Sequence, residues 1–198
     1  VDTRRPLATD PSDLSGIRVG DPRTEGLMAH RWHTYEYYRQ QGYEVSFGGA
    51  STAVITLACQ LSADAALLWF AEQPAAAQAL LDFLLDAIEH VGRFDAELRG
   101  ADFRGFTYTG DDNSGLLSPA MYRRFAVPCY RRLYADNQTR FMHSELLRAE
   151  HLRIARDELG ITSFHGAGCV NLTLEEMRQI MGHNFWTQVT PQELATLT

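Results

Sequence analysis

His143-Ser144-Glu145 places an imidazole and a carboxylate two residues apart. On an extended strand such residues face the same way, so the pair can chelate a divalent cation. A second imidazole, His165, falls at the end of the next predicted strand, about 4.8 Å away for adjacent parallel strands, and could complete a set of three ligands. Three protein ligands leave a position for water or substrate, as in catalytic zinc or iron sites. The plainer alternative makes Glu145 a first-turn carboxylate favoured by the following helix dipole, and His143 a hydrogen-bonded strand residue.

Asp111-Asp112 is a second acidic site, able to orient a substrate, act as general base or contact the metal. One of the two is expected to face inward and the other to hold the loop, although Asp and Asn also serve simply as turn formers. Cys59 and Cys129 lie in apolar helical stretches and read as small buried hydrophobes. Cys169, in the Gly-rich loop after His165, could reach inward as a further ligand.

These residues need elements to bring them together. Residues 1–22 are rich in Asp, Pro, Ser and Gly and read as an extended lead-in, followed by one domain over 23–198. The pattern predicts a helix from Thr24 to Gln41, with Leu27, Trp32, Tyr35 and Tyr38 on its apolar face, and a strand Tyr43 to Phe47 ending at Gly48-Gly49. Helices follow at Ser51–Leu61, Ala65–Ala71 and Pro74–Arg99, then a strand over 105–109. Ser118-Pro119 opens a helix that persists through Tyr134 despite Pro128.

Strands at 139–142, 161–164 and 184–189 then alternate with helices at 148–159 and 173–181, and a further helix starts at Pro191. Strands alternating with helices of this length predict βα units and a parallel sheet. Polar segments follow the strands, and the carboxyl ends of parallel strands form the active face. Gly48, Gly49, Ser51, Asn113 and Gln188 are therefore expected to contact substrate, with Asp111 and Asp112 as catalytic groups.

Composition narrows the partners. The 198 residues are 45% hydrophobic, enough for one sizeable core, and the net charge of -7 comes without a basic stripe for nucleic acid. No apolar run approaches the roughly 20 residues needed to span a bilayer. A cytoplasmic protein with reduced thiols, acting on a small molecule and binding neither nucleic acid nor membrane, is expected.

The stretch Gly110-Asp111-Asp112-Asn113-Ser114-Gly115-Leu116-Leu117-Ser118-Pro119, running on through Phe125 to Val127-Pro128, resembles the uroporphyrinogen decarboxylase and cobalamin-dependent methyltransferase group. Phe47-Gly48-Gly49, the His143 motif, Val170-Asn171-Leu172 and Thr190-Pro191 extend the resemblance to nearly the whole chain. It implies a (β/α)8 TIM-type barrel, incomplete here with about five βα units, the remainder coming from a longer chain, a second copy or another subunit. Methyltransferases of the group hold zinc with a His-x-Cys pair, an acid and a later cysteine. Here Glu145 stands at the thiolate's place and His165 near that of the acid. Decarboxylases of the group carry a tyrosine in the helix after the Gly-Gly turn, where this chain reads Thr52-Ala53-Val54-Ile55-Thr56.

The resemblance thus implies a metal-dependent methyltransferase-like enzyme, with zinc or iron at His143, Glu145 and His165 and a thiol acceptor, corrinoid or corrinoid protein as partner. A uroporphyrinogen-type decarboxylase is the second expectation, and a non-catalytic corrinoid- or tetrapyrrole-binding subunit the third.

Overall fold

The computed structural model describes residues 5–48 and 52–188. Its centre is a sheet of four short parallel strands in chain order: β1 Tyr108–Gly110, β2 Phe141–His143, β3 Ser163–His165 and β4 Phe185–Trp186. Period-two alternation sorts the two faces. Thr109, Met142 and Phe164, at the middle of β1 to β3, are 0–2% exposed and face the helices. Tyr108, Phe141, His143 and His165 occupy the other face. Among the described residues the sheet does not close, and they form an incomplete, barrel-like α/β arrangement.

Eight α-helical segments among the described residues accompany it: α1 Gly26–Gln40, α2 Val54–Ser62, α3 Asp64–Glu72, α4 Pro74–Leu98, α5 Pro119–Met121, α6 Val127–Tyr134, α7 Ala149–Leu159 and α8 Leu174–Met181. In α4, Pro74 supplies the preset φ of a first turn, and Ala77, Leu80, Leu81, Leu84, Leu85 and Ile88 form the buried stripe. Each such large side chain stabilises the fold by about 1.5–3 kcal/mol relative to exposure. Gly160, at φ 64°, ends α7 in the left-handed conformation that closes helices.

The helical run after Ser118 reaches Tyr134 as expected, with a wider π turn at Tyr122–Ala126. Pro128 accounts for it: the residue has no N–H to give, and its ring crowds the carbonyl four residues back, so the ladder opens just before it. The run buries three tyrosines, and each hydroxyl finds a strand or strand-end partner. Tyr122 donates to Met142 Sδ at 3.8 Å, Tyr130 to Asp111 Oδ2 at 2.8 Å and Tyr134 to the Phe141 carbonyl at 2.8 Å. Since Tyr134 has one proton, Thr109 Oγ1 must donate to it across their 2.6 Å contact.

Several expectations need correction. Tyr43 to Phe47 is not a strand: Tyr43 is 62% exposed, and Phe47 is held by the rings of Trp32, Tyr35 and Phe94 at 5.1–6.3 Å instead of by ladder pairing. The described sheet therefore has four strands, not five. α1 begins at Gly26 instead of Thr24, with Glu25 at the N-cap position and no side-chain cap bond, and Leu27 is 82% exposed instead of lining an apolar face. The lead-in is tied down in part, because the Leu7 and Ala8 amides both donate to the Leu61 carbonyl and Ala8 is fully buried. The predicted helix start at Pro191 lies outside the described residues.

Candidate active site at the strand ends

β1, β2 and β3 run in register, with Gly110 beside His143 and His143 beside His165. The chain leaves β1 through Asp111 into a short 3-10 turn, Asp112–Leu116, and leaves β2 through Ser144 and Glu145. Alternation then decides the fate of each residue. Ser144 turns inward and donates to the Asp111 carbonyl at 2.9 Å, while His143 and Glu145 turn toward the open side. Glu145 N–H donates to Asp112 Oδ1 at 3.1 Å, drawing the two loops together.

Asp112, His143 and Glu145 thereby form a cluster whose potential ligand atoms lie within 4.8 Å of one another. His143 Nδ1 lies 3.0 Å from the His165 carbonyl, which can only accept. Nδ1 therefore carries a hydrogen, and Nε2 lies 3.4 Å from Asp112 Oδ1. Fixing one ring nitrogen by a backbone carbonyl is how metal-ligating histidines are usually oriented. Ligand atoms bound tetrahedrally at about 2.0–2.2 Å sit about 3.4 Å apart, so the His143–Asp112 spacing already suits a shared cation. The exposed Glu145 carboxylate supplies a second negative charge.

His165 is not among these three. Its ring lies 4.8 Å from that of His143, tilted by 36°, and burial together with the neighbouring His143 holds it below the usual histidine range. Its carbonyl, not its imidazole, serves the cluster.

Asp111 goes elsewhere. Its carboxylate is 1% exposed and accepts four hydrogen bonds: from Ile55 N at 2.7 Å, Thr56 N at 2.9 Å, Thr56 Oγ1 at 2.9 Å and Tyr130 Oη at 2.8 Å. α2 has no side-chain cap of its own, so this distant carboxylate caps its first turn. Burial pushes the carboxyl up to about 6 against these bonds. Sequence reasoning missed both the clamp and Tyr130, since the partners lie 19 to 56 residues away.

The expected substrate contacts are dispersed. Asn113 N–H donates to Thr56 Oγ1 at 3.0 Å, and its side chain lies against the Cys59 thiol. Gly48 has φ 85° and packs against the Arg31 guanidinium of α1. Gln188 is exposed beyond β4, and Gly49 and Ser51 lie outside the described residues. Cys169 donates to the Leu147 carbonyl at 3.3 Å, and burial, with the Glu145 and Asp112 charges adding to it, raises its thiol.

Gly115 has a separate role. A methyl group there would collide with the Leu146 carbonyl in the loop just after Glu145. Gly115→Ala is expected to cost about 1–3 kcal/mol in urea unfolding, because backbone cannot yield as a side chain would.

A sequence model of uroporphyrinogen decarboxylase (URO-D) matches residues 2–185. The chain belongs to the URO-D family. No curated protein matches the sequence. Among solved structures, a methyltransferase from Methanosarcina mazei aligns with TM-score 0.64 and 18% identity, over 90% of this chain and 53% of that one. At that identity the likeness shows the fold alone, and the chain spans about half the length of that relative. Membership in an enzyme family and the strand-end cluster together support an enzymatic role. Among the described residues, no single helix is long and apolar enough to cross a membrane.

Proposed function

We propose that this chain carries the cation-binding part of an active site in a URO-D-family enzyme acting on a small carboxylate-bearing substrate. The observation that carries the reading is the convergence of Asp112, His143 and Glu145, all within 4.8 Å, at the ends of two adjacent strands. Two carboxylates and an imidazole with a fixed tautomer suit a divalent ion such as zinc or iron. Such an ion supplies Lewis acidity, polarising an oxygen of the substrate.

Decarboxylation of a tetrapyrrole-type carboxylate is the finer reading that the family match favours. Loss of CO2 leaves an electron pair that needs an acceptor, and a protonated ring provides one. In that reading the site works without a cation: Asp112, with 41% of its side chain exposed, is free and can lie against such a ring, stabilising its positive charge. Asp111 cannot, because both its oxygens are committed to α2 and Tyr130. Methyl transfer to a thiol, or involving a corrinoid, would use the same three residues as ligands of a cation, and their convergence is what supports it. Such a reaction asks the cation to lower the pKa of the acceptor.

The test is carboxylate loss from a reduced porphyrinogen, followed chromatographically with the full-length protein. Product formation that falls about 100-fold or more in Asp112→Asn is expected. Turnover indifferent to Asp112, or none with porphyrinogen while a thiol becomes methylated, would overturn the decarboxylase reading.

A further inference from the structure

Gly110 stands in register with His143, and its missing side chain would point to the same face of the sheet. That space is filled by the Tyr108 hydroxyl, which is the first atom a methyl group on Gly110 would strike. Tyr108 sits two residues earlier on β1, so its ring rises along the strand from the layer below and carries its oxygen into the layer of His143. The ring is stacked on Phe141, with centroids 5.2 Å apart and planes 24° apart, and this fixes the direction of the hydroxyl. Tyr108 is 45% exposed, so its hydroxyl can reach a bound ligand. Partial burial, with the Asp112 charge adding to it, pushes the phenol above its usual range.

We infer that the Tyr108 hydroxyl and the Asp112–His143–Glu145 cation site together form a carboxylate subsite, in which the phenol donates a hydrogen bond to a carboxylate oxygen of the bound ligand. Tyr108 is then a positioning residue that selects for an anionic oxygen. Gly110 is required because any side chain would occupy the hydroxyl's place. This inference rests on the cation site proposed above.

The test uses Co2+ as the metal probe and acetate as the carboxylate probe. Co2+ is added to the full-length protein, its visible absorption is recorded, and acetate is titrated in while the spectrum is followed. Tyr108→Phe keeps the ring and its stacking and is expected to take up Co2+ as the unmodified protein does. Its acetate affinity should fall by about 10-fold or more, the usual loss for one hydrogen bond to a charged group. Gly110→Ala, which retains the phenol but displaces it, should reproduce the loss. Failure of the unmodified protein to bind Co2+ would sink the cation site and this inference with it. Unchanged acetate affinity in a Co2+-loaded Tyr108→Phe protein would overturn the Tyr108 role alone.

Discussion

Asp111→Ala is expected to cost about 3–5 kcal/mol of folding stability, as several buried donors lose their acceptor at about 1–3 kcal/mol each, a large share of the 5–15 kcal/mol typical of a domain. The substitution leaves the amides of Ile55 and Thr56 and the hydroxyls of Thr56 and Tyr130 without their acceptor in a dry environment. It also uncaps α2 and loosens the end of β1, from which Asp112 projects. Urea unfolding measures the loss directly.

The same carboxylate makes a pH dependence whose sign is fixed by its environment. Its ordinary value of 3.8 in the unfolded chain rises to about 6 in the fold because burial disfavours the charge. Between these values the native state holds the proton more tightly than the unfolded state does. The stability contributed is therefore complete below about 3.8 and lost as pH rises to about 6, changing little beyond. The shift corresponds to roughly 3 kcal/mol. Asp111→Asn lacks this titration, so its penalty relative to the unmodified protein should narrow by that amount between pH 4 and pH 7. A penalty that widens with pH would mean that the four hydrogen bonds outweigh desolvation.

The second large effect concerns metal affinity. His143→Ala should weaken Zn2+ binding by about 100-fold or more, since loss even of a supporting residue around a metal ligand typically costs 10–100-fold. Asp112→Ala should act similarly. His165→Ala should change affinity by only a few-fold, because the backbone carbonyl that orients His143 remains when the imidazole is removed. Competition with a chromogenic chelator distinguishes these outcomes.

Much of the fold was legible because it is local. The α4 stripe, the Ser118-Pro119 helix start and the helix beginning at Thr173 were each written in neighbouring residues. Tyr43 to Phe47 misled because aromatic and β-branched residues favour strands equally well when they pack in an aromatic cluster, and sequence cannot show whether a pairing partner exists. In the site, period two placed His143 and Glu145 on one side correctly, and the fold brings them together. That period could not tell which of Asp111 and Asp112 would join them, because adjacent residues point oppositely and the turn decides which one faces the helices. His165 shares a register row with His143, yet its hydrogen bond to that imidazole is through its carbonyl, which no side-chain pattern reveals.

The cation site is tested most directly by metal analysis of full-length protein, equilibrated with Zn2+ and dialysed, beside Asp112→Ala and His143→Ala. About one equivalent per chain in the unmodified protein, lost in both variants, is the predicted result. Zn2+ absent from all three proteins, or retained equally by all three, would contradict a cation held by Asp112, His143 and Glu145.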